Sequence, residues 1–96
     1  MKLKIVDHFR GNYKSFFEKY LPKIKKTGGD EYQVVCPFHD DKNPSFSFNN
    51  QTGRYFCHGC NKKGDIFHFY GKINGLETRS DFGKILKGNA DDFGIA

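Results

Sequence analysis

All three cysteines of this chain fall in two short stretches, "CPFH" at 36–39 and "CHGC" at 57–60, and the first also holds one of its four histidines. Two residues separate Cys36 from His39, and two separate Cys57 from Cys60. That spacing puts both donors of a pair on one tight turn, aimed at a common centre, and two such turns complete a tetrahedron. Thiolate and imidazole are the donors zinc takes in closed structural sites. The pattern therefore predicts one zinc ion held by Cys36, His39, Cys57 and Cys60.

Other donors fit less well. His58 lies between two ligands and must point away if both cysteines bind. His68 falls on an expected helix between Phe67 and Phe69, and with His8 these histidines read as surface or packing residues. Asp40 and Asp41 are oxygen donors, poorly matched to a thiolate-rich site. A closed Cys3His site leaves no position for a reactive water, so the metal is expected to be structural. There is no P-loop, nucleophile elbow or plausible Cys–His nucleophile, and no catalytic residue is expected in the chain.

A metal staple suits the length. Ninety-six residues make one small domain, and domains of this size often need a metal or disulfides to offset a thin core. Three cysteines leave one over, and Cys57 with Cys60 alone closes only a short loop, so disulfides serve poorly. The opening "MKLKIVDHFRGNYK" has no apolar run fit for a signal peptide, and nothing approaches a membrane span. The expected setting is a reducing cytoplasm, where clustered cysteines hold metal more often than they form disulfides.

The net charge of +5 is uneven: residues 1–30 carry eight Lys/Arg against three Asp/Glu, whereas residues 31–60 carry two against three. The basic character thus lies mainly in "KSFFEKYLPKIKK", which permits nucleic-acid binding without requiring it. Eleven Phe and five Tyr are enough to fill a small core and leave some rings exposed as platforms for stacked bases.

Around the donors, the periodicity predicts alternating element types. Val6, Phe9, Tyr13, Phe16 and Tyr20 recur at steps of three and four, giving a helical region that Gly11-Asn12 interrupts and Pro22 ends. "KIKKTGGDEYQVV" reads as a hairpin turning at Thr27–Asp30. "PSFSFNNQTGRYFC" reads as a second, turning at Asn49–Gly53, with Phe46 and Phe48 on one face and Ser45 and Ser47 on the other. Asp65 then caps a helix with an Ile66, Phe69, Tyr70, Ile73 stripe, stopped at Gly75. "SDFGKILKGNADDFGI" reads as a last helix with Phe82, Ile85, Leu86 and Phe93 inward. The fold expected is α+β: a zinc ribbon, meaning a small antiparallel sheet with a Cys3His site, flanked by helices. Its parts are a helical segment at 1–22, the ribbon at 23–76 and a helical segment at 77–96.

The stretches "CPFHDDKNPSFSF" and "GRYFCHGCNKKGD", with "IFHFYGKINGL" after them, resemble the CHC-type zinc-binding domain at the N-terminus of bacterial and phage DNA primases. The likeness runs from about Tyr32 to Leu76 and includes both donor pairs, the Pro44-Ser45-Phe46 triplet and the Gly64-Asp65 helix start. It implies a domain that engages single-stranded DNA template and helps select the primer start site. It also implies a separate Toprim-type polymerase domain as partner, in cis or in trans, and possible contact with a replicative helicase, with this chain as a part of the longer protein. Candidate DNA contacts are Arg54, Tyr55, Lys42, Lys62 and Lys63, with one of Phe46, Phe48 or Phe56 stacking on a base. Two other readings stay open: a zinc ribbon that binds protein and touches DNA little, and a thiol redox switch at Cys57 and Cys60.

Overall fold

The computed structural model describes residues 2–38 and 44–95. His39, Asp40, Asp41 and Lys42 lie outside the described residues. Two short helices open the chain, α1 (Lys2–Phe9) and α2 (Lys14–Tyr20). Five strands follow: β1 (Lys25–Gly28), β2 (Glu31–Val34), β3 (Phe46–Asn49), β4 (Tyr55–Cys57) and β5 (Lys63–Gly64). Helices α3 (Ile66–Asn74) and α4 (Phe82–Phe93) complete it. The strands form one antiparallel meander in sequence order, β1 to β5.

The helices form largely as the periodicity predicts. The break between α1 and α2 falls at Arg10–Tyr13, with Gly11 at a φ of 72°. Asp65 caps α3, its carboxylate accepting from the backbone N–H groups of Phe67 and His68. Gly75 ends α3 in the left-handed conformation. The inward set of α1 is Ile5 and Phe9, with Val6 only half-buried.

The two expected hairpins are present. A fifth strand, which the sequence reading missed, adds Lys63 opposite Phe56 and Gly64 opposite Tyr55. Two residues carry no strand signal of their own, and pairing with β4 is what makes them extended. Gly64 is there for space: a Cβ at that position would stand 2.7 Å from the Cβ of His68.

One aromatic core joins the sheet to the helices. Phe46, Phe48, Tyr55 and Cys57 point from one face of β3 and β4 and are buried. Phe17 of α2 stacks on Phe48 with ring centres 4.2 Å apart, and Phe46 stacks on Tyr55 at 5.2 Å. Phe69 of α3 packs edge-on against Phe17, Phe46 and Tyr55. Helix α4 buries Ile85 and half-buries Phe82, Leu86 and Phe93. It also buries Asn89 completely, with its amide donating to the Ile85 carbonyl. With one face of the sheet covered in this way, the other faces water. That asymmetry positions both the metal cluster and the surface described next.

Candidate metal centre and nucleic-acid interface

Pairing at the end of the sheet gathers the cysteines. Cys36 follows β2, Cys57 ends β4, and Cys60 lies in the turn between β4 and β5. That turn is tied by hydrogen bonds from the Cys57 N–H to the Lys62 carbonyl and from the Asn61 N–H to the Cys57 carbonyl, at 2.9 and 2.7 Å. The His58 N–H donates to the Ser45 carbonyl, fixing the turn to the start of β3. The three sulfurs all lie within 4.8 Å of one another, and Cys36 Sγ is 3.9 Å from Cys60 Sγ.

These distances fit zinc. Tetrahedral thiolates at a Zn–S length of about 2.3 Å stand about 3.8 Å apart. The surroundings also favour sulfur that carries charge. The Phe38 N–H points at Cys36 Sγ at 3.4 Å, and the Ser45 hydroxyl lies 3.5 Å from Cys57 Sγ. Without a cation the cluster resists ionising: the Cys36 thiol is pushed up to about 12, chiefly by burial and also by hydrogen bonds with the two other cysteine sulfurs, with the Phe38 N–H pulling the other way. A bound divalent cation reverses that balance. Zinc is thus the cofactor this donor set suits, with Cys36, Cys57 and Cys60 as three of its holders. The place expected for the fourth, His39, falls outside the described residues.

The candidate DNA contacts separate into groups. Tyr55, Phe46 and Phe48, expected as possible stacking platforms, are 3%, 0% and 1% exposed. Their rings face the helices and offer no free face to a base. The reason is alternation: a residue beside Cys57 on β4 points away from the core, and that residue is Phe56. The outer face carries a row across four strands in register, Gln33, Ser47, Phe56 and Lys63. Beside it lies a second row, in which Glu31 pairs with Asn49 and the Asn49 N–H donates to the Arg54 carbonyl.

Glu31, Ser47, Asn49, Arg54, Phe56 and Lys63 line a shallow groove of about 570 Å³ on this face. Arg54 and Lys63 are therefore brought together there. Lys62 is not: it lines a separate hollow beside the cysteine turn with Phe38, Lys72 and Glu77. The sequence reading named Phe56 only as an alternative and missed Ser47, Asn49 and Glu31 as groove residues. The signal for Ser47 and Phe56 was available, since both alternate with residues that the pattern assigns to one face. His58, expected as a surface or packing residue, is exposed and meets the Phe56 ring edge-on at 4.8 Å.

A five-stranded meander backed by helices, with converging cysteines on the turns at one end, defines a zinc ribbon. The particular kind is given by sequence: residues 5–95 match the family model described as the CHC2 zinc finger, Zn_ribbon_DnaG, and the chain belongs to that family. The DNA primase of Buchnera aphidicola is 38% identical over 80 residues, an alignment covering 80% of this chain and 14% of that protein. That of Chlamydia trachomatis is 44% identical over 52 residues, covering 54% of this chain and 9% of the other. The crystal structure of the Aquifex aeolicus primase, zinc binding and RNA polymerase domains, superposes with a TM-score of 0.73 over 96% of this chain and 22% of that one. At 24% identity this last likeness speaks to the fold alone. The chain thus spans a small part, 14% or less, of the curated primases named here.

Proposed function

We propose that this chain is the template-binding module of a DNA primase: zinc holds the sheet in shape, and the sheet's outer face binds single-stranded DNA and helps choose where a primer starts. The observation that carries the reading is the outer groove, where the Phe56 ring lies between Ser47 and Lys63 and Arg54 lines the same hollow. An aromatic platform flanked by cations is what unpaired nucleotides need, because bases stack on the ring while phosphates meet the charges. Membership of the CHC2 family and the likeness to DNA primases support the same reading.

Primer synthesis itself belongs, on this reading, to a polymerase domain acting in cis or in trans, in the cytoplasm, with a replicative helicase as a further partner. The structural zinc chemistry assigns no catalytic step to this chain.

The test is a titration of the zinc-loaded, isotope-labelled chain with short single-stranded DNA, following backbone amide shifts at two salt concentrations. Shifts on Ser47, Arg54, Phe56 and Lys63 that depend on base sequence are the expected result. Shifts confined to the basic 14–26 segment and abolished by salt would sink the reading, and would favour a protein partner for the sheet.

A further inference from the structure

The groove contains a charge that phosphate binding alone does not explain. Glu31 is exposed at the start of β2, in register with Asn49 and on the same hollow as Arg54 and Lys63. Among the described residues no lysine or arginine forms an ion pair with it. Its neighbour Asn49 has its side-chain oxygen committed, accepting from the N–H groups of Gln51 and Thr52 at 2.8 and 3.0 Å. Glu31 therefore supplies the charged acceptor of the groove. A carboxylate repels a phosphate backbone. It bonds well only to donors on a base edge, and single-stranded nucleic acid leaves those edges open.

We propose that Glu31 is a base-reading residue, selecting at one template position a nucleotide whose Watson–Crick edge carries amino donors over thymine. Guanine fits best. Its N1–H and N2–H2 groups donate side by side to the two oxygens of one carboxylate, while cytosine and adenine each offer a single amino group. Thymine places two carbonyl oxygens against the negative charge. Arg54 and Lys63 hold the flanking phosphates, Phe56 stacks the base, and the Glu31 carboxylate meets its edge. This inference rests on the template-binding reading above.

The experiment measures fluorescence anisotropy of the zinc-loaded chain with an oligonucleotide of about eight thymidines, alone or with one central dG, dC or dA. The wild-type chain is expected to bind the dG oligonucleotide about fivefold more tightly than the all-thymidine strand, the lower end for a bidentate base contact. Glu31→Gln is expected to abolish that preference and to bind the all-thymidine strand more tightly than wild type, because a repulsive charge is gone. A chain that merely lost a contact would not show this crossing of effects. Binding with no base preference, or a preference that survives Glu31→Gln, overturns the inference and leaves template binding standing. No binding to any strand at low salt overturns both.

Discussion

The sulfurs of Cys36 and Cys60 stand 3.9 Å apart although they lie 24 positions apart in sequence. Only the β2–β3–β4 pairing brings them together, so the cluster and the sheet depend on each other. Structural zinc sites contribute folding free energy directly, of order 10 kcal/mol or more in small fingers. Cys57, which is fully buried at the end of β4, is the ligand whose loss should be felt most. Cys57→Ser is expected to leave the chain without stoichiometric zinc and without a cooperative thermal transition, and a strong chelator should do the same to the wild type. Metal analysis alongside a melting curve checks both. A variant that kept its zinc and its melting temperature would refute the assignment.

Proton competition should follow from the same cluster. Held in the folded arrangement with no cation between the sulfurs, the Cys36 thiol is raised from its ordinary 9.0 to about 12, first by burial. A raised value means folding favours the protonated thiol, a contribution present below about 9 and lost as pH climbs toward 12. Zinc inverts the sign, since it binds thiolate and must displace those protons. Apparent zinc affinity is thus expected to fall steeply on acidification between about pH 7.5 and 6, by up to about a thousandfold per pH unit if each of three thiols loses a proton. Competition with a chromophoric chelator across that range measures the slope. A slope near zero would mean the thiols are already ionised without metal.

The donors were readable because the rule that finds them is local: two residues between ligands, twice. The caps of α3 were readable for the same reason, since Asp65 and Gly75 each act within one turn. What the sequence did not disclose depends on partners far along the chain. Alternation put Phe46 and Phe48 on one face, but which face is covered follows from Phe17 and Phe69 packing there. Strand β5 exists only through its pairing with β4. Buried Asn89 was not named among the inward residues of the last helix because of its polar type, although its spacing, four after Ile85 and four before Phe93, puts it on that face.

The turn of the second hairpin ties the sheet to α2, and Gly53 makes that contact possible. It adopts a φ of 73°, and a Cβ there would stand 2.6 Å from the ring of Tyr13. The same turn receives hydrogen bonds from Tyr13 and Lys14, whose N–H groups donate to the Asn50 backbone and side-chain oxygens at 3.0 and 2.8 Å. Gly53→Ala combines left-handed strain with a clash against a buried ring. A loss of about 1–3 kcal/mol is expected in denaturant unfolding of the zinc-loaded chain. Gly29→Ala shares the positive φ, at 52°, but meets nothing within 4 Å. It should cost less, and equal losses at the two sites would show that the Tyr13 contact is unimportant.

Phe48 and Phe56 separate the two faces of the sheet by experiment. Phe48 is 1% exposed and stacked against both Phe17 and Tyr32. Phe48→Ala should therefore remove about 3–5 kcal/mol of stability, as buried phenylalanines do. Phe56 is half-buried on the opposite face, between Ser47 and Lys63 in the register. Phe56→Ala should leave the melting temperature nearly unchanged while weakening single-stranded DNA by about 1–3 kcal/mol, the range for a lost base–aromatic stack. The two effects can be read on the same samples, by thermal unfolding and by anisotropy with a labelled strand. If Phe56→Ala melted early and bound as well as wild type, the outer ring would be a structural residue. The groove would then hold phosphates without stacking bases.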